Sequence, residues 1–198
     1  MKIGFIGLGN VGAKLAGCLI RNGADLIVRD LDPGHVQPFL DKGAAFGESP
    51  KAMAEACDVI ITCLPSPAIS AAVMEGEDGI LAGLTPGTIW AEMSTTHAEE
   101  VKRLGALVTA KGGEAVDCPV SGGCHRAATG NIAILAGCSR PIFEKILPVL
   151  TMMGRRILHT GDLGTASVLK VMTNYLATAN LLTLCEALVT SKAAGMDL

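Results

Sequence analysis

The amino-acid sequence predicts an α/β fold, a doubly wound parallel sheet followed by a long C-terminal helix. Apolar segments typical of buried strands lie at residues 2–6, 26–28, 58–63, 88–91, 115–117 and 132–136. Segments with helical periodicity or helix N-caps alternate with these strands, which favours a sheet of parallel strands covered on both faces. An apolar helical pattern then extends from about residue 166 to residue 194.

A glycine-rich turn follows the first predicted strand. Residues 7–12 have the pattern G-x-G-x-x-G, and residues 14–21 continue as a helix that stops at Asn22 and Gly23. The three glycines of such a turn allow a tight bend, close approach of a pyrophosphate and close helix packing, and the helix N-terminus favours negative charge. A plain βα turn is the alternative. The predicted dinucleotide-binding residues here are Gly7, Gly9, Asn10, Val11 and Gly12.

A carboxylate stands at the end of the second predicted strand. Asp30 lies roughly twenty residues beyond the glycines, where a carboxylate accepts hydrogen bonds from ribose hydroxyls and repels a 2′-phosphate. Leu31 offers that phosphate no positive charge, whereas Arg29 could swing toward it. The sequence therefore predicts NAD rather than NADP, with a turn-opening role for Asp30 as the alternative.

Loops after two further strands are expected to line the cofactor channel. Ligands of doubly wound sheets bind at the carboxyl ends of the strands. Leu64 and Pro65 follow one strand, and Ser94 and Thr95 follow another. A simple strand terminator is the alternative for Leu64 and Pro65. Helix N-caps are predicted at Ser49 and within residues 95–100, the latter with a capping-box carboxylate.

Composition excludes several classes of function. The chain has 198 residues, with 16 basic residues, 19 acidic residues and no basic run, so no nucleic-acid partner is expected. No apolar stretch approaches a membrane span, and the short apolar start, broken by Gly4 and Gly7, does not predict a signal peptide. We therefore expect no membrane partner and a cytoplasmic location.

Seven cysteines are scattered through the chain without a C-x-x-C pair. This usage indicates reduced core residues in a cytosolic protein rather than a disulfide framework. Cys118, Cys124 and His125 form the one cluster to consider for zinc, but their spacing matches no zinc signature. We therefore expect no metal.

Two segments carry candidate chemistry. Ser121, Gly122 and Gly123 follow a predicted strand, and their N–H groups and hydroxyl could hold a carboxylate, with a plain turn as the alternative. Lys170 and Asn174 are four residues apart and share one helical face. Lysine is suited to proton transfer with a substrate hydroxyl once burial lowers its pKa, and a solvated surface lysine is the alternative.

With these motifs, the chain resembles the β-hydroxyacid dehydrogenase family, which includes 3-hydroxyisobutyrate dehydrogenase and tartronate semialdehyde reductase (2-hydroxy-3-oxopropionate reductase). The matching segments are residues 4–12, 64–65, 93–95 and 117–123 and the helix of Lys170. The resemblance implies that Lys170 is the catalytic acid/base and that Asn174 assists it. It also implies that residues 121–123 hold the substrate carboxylate, with residues 64, 65 and 95 against the dinucleotide.

The sequence departs from this family at four places. Residues 124–126, Cys-His-Arg, replace a small or acidic stretch and favour a polar, acidic substrate. Ala166 replaces a usual glycine, and Thr173 stands where many relatives have asparagine or histidine. Leu198 ends the sequence where the family's inter-domain helix leads into an all-helical domain. We therefore expect an NAD-binding Rossmann-type domain at residues 1–163 and the inter-domain helix at 164–198, without the second domain.

The sequence thus predicts an oxidoreductase that transfers a hydride between a nicotinamide cofactor and a small 3-hydroxy acid or its semialdehyde. The first alternative is a dinucleotide-binding fragment without turnover. Reductases of imines or of phosphogluconate are a remote alternative, disfavoured by Lys170 and Thr173 respectively. A homodimer is also predicted, because an apolar stripe on the last helix would otherwise face water. The residues of this stripe are Leu169, Met172, Leu176, Leu181, Leu184, Leu188 and Val189.

Overall fold

The computed structural model describes residues 1–198 as nine strands and nine helices. The strands are β1 Lys2–Ile6, β2 Asp25–Arg29, β3 Ala45–Phe46, β4 Val59–Thr62, β5 Ile89–Glu92, β6 Glu114–Asp117, β7 Val120–Ser121, β8 Ala133–Gly137 and β9 Arg156–Gly161. The helices are α1 Gly12–Arg21, α2 Pro33–Leu40, α3 Pro50–Ala56, α4 Pro67–Glu75, α5 Ile80–Gly83, α6 Ala98–Ala110, α7 Cys124–Ala128, α8 Arg140–Met153 and α9 Thr165–Ala193.

All nine strands form one sheet, in the order β3-β2-β1-β4-β5-β6-β8-β7, with β9 paired to β8. The strands from β3 to β6 are parallel, whereas β8 is antiparallel to β6 and β7. The chain winds outward from β1 through β2 to β3 and then returns to the other side of β1 with β4. Such a reversal opens a crevice at the carboxyl ends of the strands, where ligands bind in open α/β sheets.

Helices cover both faces of the sheet, because side chains alternate between the faces along each strand. Phe5 of β1 belongs to a cluster of 28 buried residues that includes parts of α1, α2 and α8. Its neighbour Ile6 belongs to a second cluster of 12 residues, beneath α3, α5 and α6. The predicted doubly wound fold is therefore confirmed.

The last helix, α9, is packed only at its beginning. Ala166 and Ser167 are its buried residues, and from Val171 onward most of its side chains are exposed. None of the helices has both the length and the apolar content needed to cross a membrane. The long C-terminal helix was predicted to within one residue at each end.

Local predictions had mixed outcomes. The Ser49 hydroxyl caps α3 by accepting the N–H of Ala52 at 3.0 Å, as predicted. The capping box within residues 95–100 is wrong, because α6 has His97 at its N-cap and no side-chain cap bond. Thr96, within the predicted capping segment, has its hydroxyl buried without a hydrogen-bond partner.

Candidate active site

A cavity of about 1050 Å³ opens over the crevice between β1 and β4. Its lining includes loops after β1, β2, β4 and β5, and one residue of α9. The predicted residues that line it are Gly7, Gly9, Asn10, Val11, Gly12, Asp30, Leu64, Pro65, Thr95, Gly123 and Lys170. Those outside the lining are Ser121, Gly122 and Asn174. The structure thus brings most of the predicted site residues to one cavity.

The glycine-rich turn has the geometry of an anion cradle. Gly7 has φ +97°, and a methyl group on Gly12 would clash with the carbonyl oxygen of Gly7. At Gly9, by contrast, nothing lies within 4 Å of the position a Cβ would take. The N–H groups of Asn10, Val11 and Gly12 have no acceptor within the chain. An open backbone face with free N–H groups at a helix N-terminus fits a pyrophosphate.

Asp30 is fixed at the edge of the cavity by the backbone. Its Oδ2 accepts the N–H of Leu8 at 2.6 Å, and its Oδ1 accepts the N–H of Asp32 at 3.0 Å. The ring of His35 approaches the same Oδ1 at 3.4 Å. Burial raises the pKa of Asp30, but these three interactions outweigh it, so the pKa of its carboxyl is lowered. A negative charge therefore stands beside the glycine-rich turn.

The neighbouring Arg29 is held by backbone carbonyls. Its Nη1 donates to the carbonyl oxygens of Gly47 at 2.8 Å and Glu48 at 2.5 Å. Its Cζ also lies 6.0 Å from the ring centroid of Phe46. These contacts hold the guanidinium beside β3.

Lys170, on the second turn of α9, also lines the cavity. Its side chain is half-buried, and this burial lowers the pKa of its amine. Lys170 forms no ion pair with an acidic side chain. Asn174, one turn further along α9, is exposed. Of the two residues predicted to share a helical face, only the lysine lines the cavity.

The predicted carboxylate-binding loop begins where β7 ends. Gly122 and Gly123 have φ values of +133° and +82°, in the region that favours glycine. Gly123 lines the cavity, and the Arg126 side chain packs beside Gly122. Arg126 and the exposed His125 form no ion pair with a carboxylate. The loop therefore has two glycines with positive φ, and the side chains of His125 and Arg126 lie next to them.

Comparison with known proteins identifies the family. The profile of the NAD-binding domain of 6-phosphogluconate dehydrogenase matches residues 2–161. The chain belongs to this family.

Similar proteins place the chain among family members that resemble 3-hydroxyisobutyrate dehydrogenase, as the motifs predicted. It is 37% identical to 2-(hydroxymethyl)glutarate dehydrogenase of Eubacterium barkeri, over 99% of the chain and 65% of that protein. A solved 3-hydroxyisobutyrate dehydrogenase of Mycobacterium tuberculosis, with L-serine, is 30% identical with a TM-score of 0.92, over 99% of the chain and 66% of that structure. Psf3 in complex with NADP⁺ is 25% identical with a TM-score of 0.90, over 98% of the chain and 69% of that structure.

The chain therefore spans about two thirds of the length of these relatives. The matched family segment contains the glycine-rich turn, Asp30 and the loops after β4 and β5. The chain thus contains a nicotinamide-dinucleotide-binding domain. No group of three or more His, Cys, Asp or Glu side chains is arranged to hold a metal ion.

Within this family domain, the buried Glu92, the last residue of β5, was not among the site residues predicted from the sequence. Glu92 Oε1 accepts the N–H of Ser94 at 2.8 Å, and Ser94 Oγ accepts the N–H of Leu64 at 2.7 Å. Burial raises the pKa of the Glu92 carboxyl, although nearby hydroxyl and N–H groups oppose this effect. An acidic residue directly after the apolar residues 89–91 was the available signal.

Asp117, which pairs in register with Glu92 on the neighbouring strand, was likewise not among the predicted site residues. Asp117 Oδ2 accepts the N–H of Ser167 at 2.7 Å, and Oδ1 accepts the hydroxyl of Ser167 at 2.8 Å. Burial raises the pKa of Asp117, but bonds from the first turn of α9 favour its ionised form. Asp117 thereby joins the sheet to the helix that carries Lys170.

Proposed function

We propose that this chain belongs to an oxidoreductase that transfers a hydride between a nicotinamide cofactor and a small 3-hydroxy acid or its semialdehyde. The observation that carries this proposal is a single cavity with two different sides. One side offers free backbone N–H groups at Asn10, Val11 and Gly12, and the other presents the half-buried Lys170. Phosphate binding and proton transfer are thereby brought to the same space.

We propose NAD as the cofactor in preference to NADP. Asp30 would accept hydrogen bonds from the ribose hydroxyls, and its negative charge would repel a 2′-phosphate. Leu31 supplies no positive charge, and Arg29 is held by the carbonyls of Gly47 and Glu48. A similar protein with the same fold is in complex with NADP⁺, so the preference for NAD depends on these residues rather than on the fold.

In the proposed mechanism, bound nicotinamide supplies or accepts the hydride. The amine of Lys170 accepts the substrate hydroxyl proton during oxidation and returns it during reduction. Partial burial lowers the pKa of Lys170, which increases the neutral fraction able to accept that proton. Ser121, Gly122 and Gly123 would hold the substrate carboxylate, with Asn174 assisting.

The proposed substrates are of the 3-hydroxyisobutyrate or 2-hydroxy-3-oxopropionate class. The similar proteins are named for a hydroxymethylglutarate and for 3-hydroxyisobutyrate. The positive charge of Arg126, beside the substrate loop and free of ion pairs, supports a polar, acidic substrate. We also retain residues 1–163 as the cofactor domain, residues 164–198 as the inter-domain helix, and the cytoplasm as the location.

We further propose a homodimer formed through α9. Its exposed apolar side chains include Met172, Leu176, Leu181, Leu184 and Val189. Burying them against a second copy would remove this surface from water in both copies at once. Light scattering at micromolar concentration tests the proposal, and a strict monomer would contradict it.

A dinucleotide-binding module without turnover is the second candidate. It is favoured by the exposure of Asn174, which, like Ser121 and Gly122, does not line the cavity. Such a module would bind the cofactor but would not position a hydroxy acid.

Two measurements on the same preparation separate the candidates. A fluorescence titration measures NADH binding, and absorbance at the nicotinamide band follows oxidation of 3-hydroxyisobutyrate and related hydroxy acids. Binding with turnover supports the oxidoreductase, and binding without turnover supports the module. Absence of NADH binding would contradict both.

A further inference from the structure

Glu92 is a fully buried carboxyl that the proposed reaction does not use. It is 1% exposed, and it forms no ion pair with a basic side chain. The titratable groups around it are acidic or neutral: Cys63 from the end of β4, and Asp117 and Cys118 from β6 and its end. Burial strongly disfavours an ionised carboxylate at such a position, and only hydroxyl and N–H groups of Ser94, Ser70 and Thr62, with no opposite charge, favour it.

The carboxyl has one satisfied oxygen and one without a partner. Oε1 accepts the N–H of Ser94, whereas Oε2 makes no hydrogen bond. The hydroxyl oxygen of Ser70 is likewise buried without a hydrogen-bond partner, although it lies close enough to influence the carboxyl's pKa. Two unpartnered polar atoms beside each other are expected to share a proton, because a buried unsatisfied group is costly.

Oε1 of Glu92 is linked through Ser94 to the lining of the cavity. Ser94, held by Glu92, accepts the N–H of Leu64 at 2.7 Å, and both Ser94 and Leu64 line the cavity. The N–H of Met93, between Glu92 and Ser94, is bound to the carbonyl of Thr62 in β4. The two hydrogen bonds from Glu92 to Leu64 therefore connect the loop after β5 to the loop after β4.

We propose that Glu92 is a positioning residue for the cofactor, acting as a neutral acid that fixes Ser94 and, through it, the Leu64–Pro65 wall of the cavity. Its protonated Oε2 donates to the Ser70 hydroxyl, while Oε1 continues to accept the Ser94 N–H. The carboxyl does not touch the cofactor and takes no part in proton transfer. This inference rests on the proposed nicotinamide-binding function of the cavity.

The test compares two substitutions of similar size. Glu92→Gln keeps a neutral acceptor for Ser94 and a donor for Ser70, so NADH affinity should stay within about twofold of wild type. Glu92→Met keeps the volume but loses the acceptor, so the dissociation constant for NADH should rise about tenfold, the scale of one hydrogen bond. Rescue by glutamine separates a neutral acid from an ionised one, because glutamine cannot carry the charge.

Two further variants keep the test decisive. Ser94→Ala removes the acceptor for Leu64 and should also weaken NADH binding about tenfold, and combining it with Glu92→Met should weaken binding no further. Thr96→Val is the matched control, since the buried Thr96 hydroxyl has no hydrogen-bond partner, and its NADH affinity should be unchanged. Circular dichroism and thermal melting check that each variant is folded.

The possible results are distinguishable. Unchanged NADH affinity in folded Glu92→Met would overturn the proposal, as would unchanged affinity in Ser94→Ala if Glu92→Met does not fold. Equal weakening by Glu92→Gln and Glu92→Met would overturn the neutral-acid assignment. Failure of wild-type protein to bind NADH would instead overturn the proposed function, which the same titration reveals before any variant is made.

Discussion

The two sides of the cavity are built differently. On the cofactor side, Asp30 is fixed to the N–H of Leu8, and the N–H of Leu64 is fixed to Ser94. On the substrate side, Lys170 is half-buried, and Cys124 and Asn174 are exposed. The proposed cofactor side is thus fixed by hydrogen bonds between side chains and backbone N–H groups, whereas the proposed substrate side consists of half-buried and exposed side chains. Substitutions on the two sides should therefore affect different measured quantities.

The largest expected effect is on the substrate side. Lys170→Ala should lower kcat of the active protein at least about a hundredfold, the usual contribution of general acid/base catalysis, while the dissociation constant for NADH stays unchanged. Steady-state kinetics and a fluorescence titration measure the two quantities. Lys192→Ala, near the exposed end of the same helix, is the matched control and should keep wild-type kcat.

The same lysine predicts the direction of a pH dependence. Oxidation needs the neutral amine, so its rate should rise with pH through the pKa of Lys170, which burial lowers from its ordinary value of 10.5. The rise in kcat should therefore be centred below pH 10.5. If the chemical step limits kcat and kcat does not depend on pH, then Lys170 does not carry out the proton transfer.

On the cofactor side, Asp30→Asn should reduce the preference for NADH over NADPH. Removing the charge that faces a 2′-phosphate is expected to change the ratio of dissociation constants by about 5- to 150-fold, corresponding to roughly 1–3 kcal/mol. Asp32→Asn is the matched control, because its exposed carboxylate caps α2 at Gly34 and does not line the cavity. Equal affinity of the wild type for NADH and NADPH would contradict the NAD assignment.

Within the glycine-rich turn, one substitution should weaken NADH binding and another should lower the stability of the protein. Gly9→Ala should leave the melting temperature unchanged, because space is free around its Cβ, but should weaken NADH binding at least about tenfold by obstructing the anion. Gly12→Ala should lower the melting temperature, since its methyl group meets the Gly7 carbonyl. An unaltered NADH affinity in Gly9→Ala would mean that the phosphates do not approach this turn.

The smallest expected effect concerns two exposed cysteines. Cys124 lines the cavity and Cys185 lies on α9, so both should react with a thiol reagent, while the remaining buried or half-buried thiols react slowly. Burial raises the pKa of Cys63 to about 12, which disfavours its reactive thiolate. NADH together with a hydroxy acid should slow labelling of Cys124 by about three- to tenfold. Labelling of Cys185, measured by mass spectrometry, should not change.

The sequence predicted the parts of the fold whose local signals are strong. The buried strands β1, β4 and β5 each contain three or four consecutive apolar residues, and the bends at Gly7 and Gly12 exclude larger residues. The edge and irregular strands gave weak signals, since β3 and β7 have two residues each. Strand β9 is only partly buried and includes charged Arg156, so its signal is also weak.

The residues that sequence reasoning missed at the site depend on long-range packing. Asp117 is buried because the first turn of α9, 50 residues later, packs over it, and its hydrogen bonds to Ser167 have no local pattern. Glu92 is linked to Leu64 through Ser94, and Ser94 and Leu64 are 30 residues apart in the sequence. In the same way, whether Asn174 reaches the cavity depends on the direction of α9, which helical spacing alone does not determine.

The attachment of α9 at its first turn limits how far its motions can disturb the chemistry. Ser167 is held by Asp117, and Lys170 lies three residues along the helix from it, about 4.5 Å at the helical rise. The end of α9 at Ala193 lies roughly 39 Å away on the same scale. A tilt of about 10° around Ser167 would therefore move Ala193 by about 7 Å and Lys170 by less than about 1 Å. The distal part of α9 can change its contacts while Lys170, the proposed proton-transfer group, keeps its position.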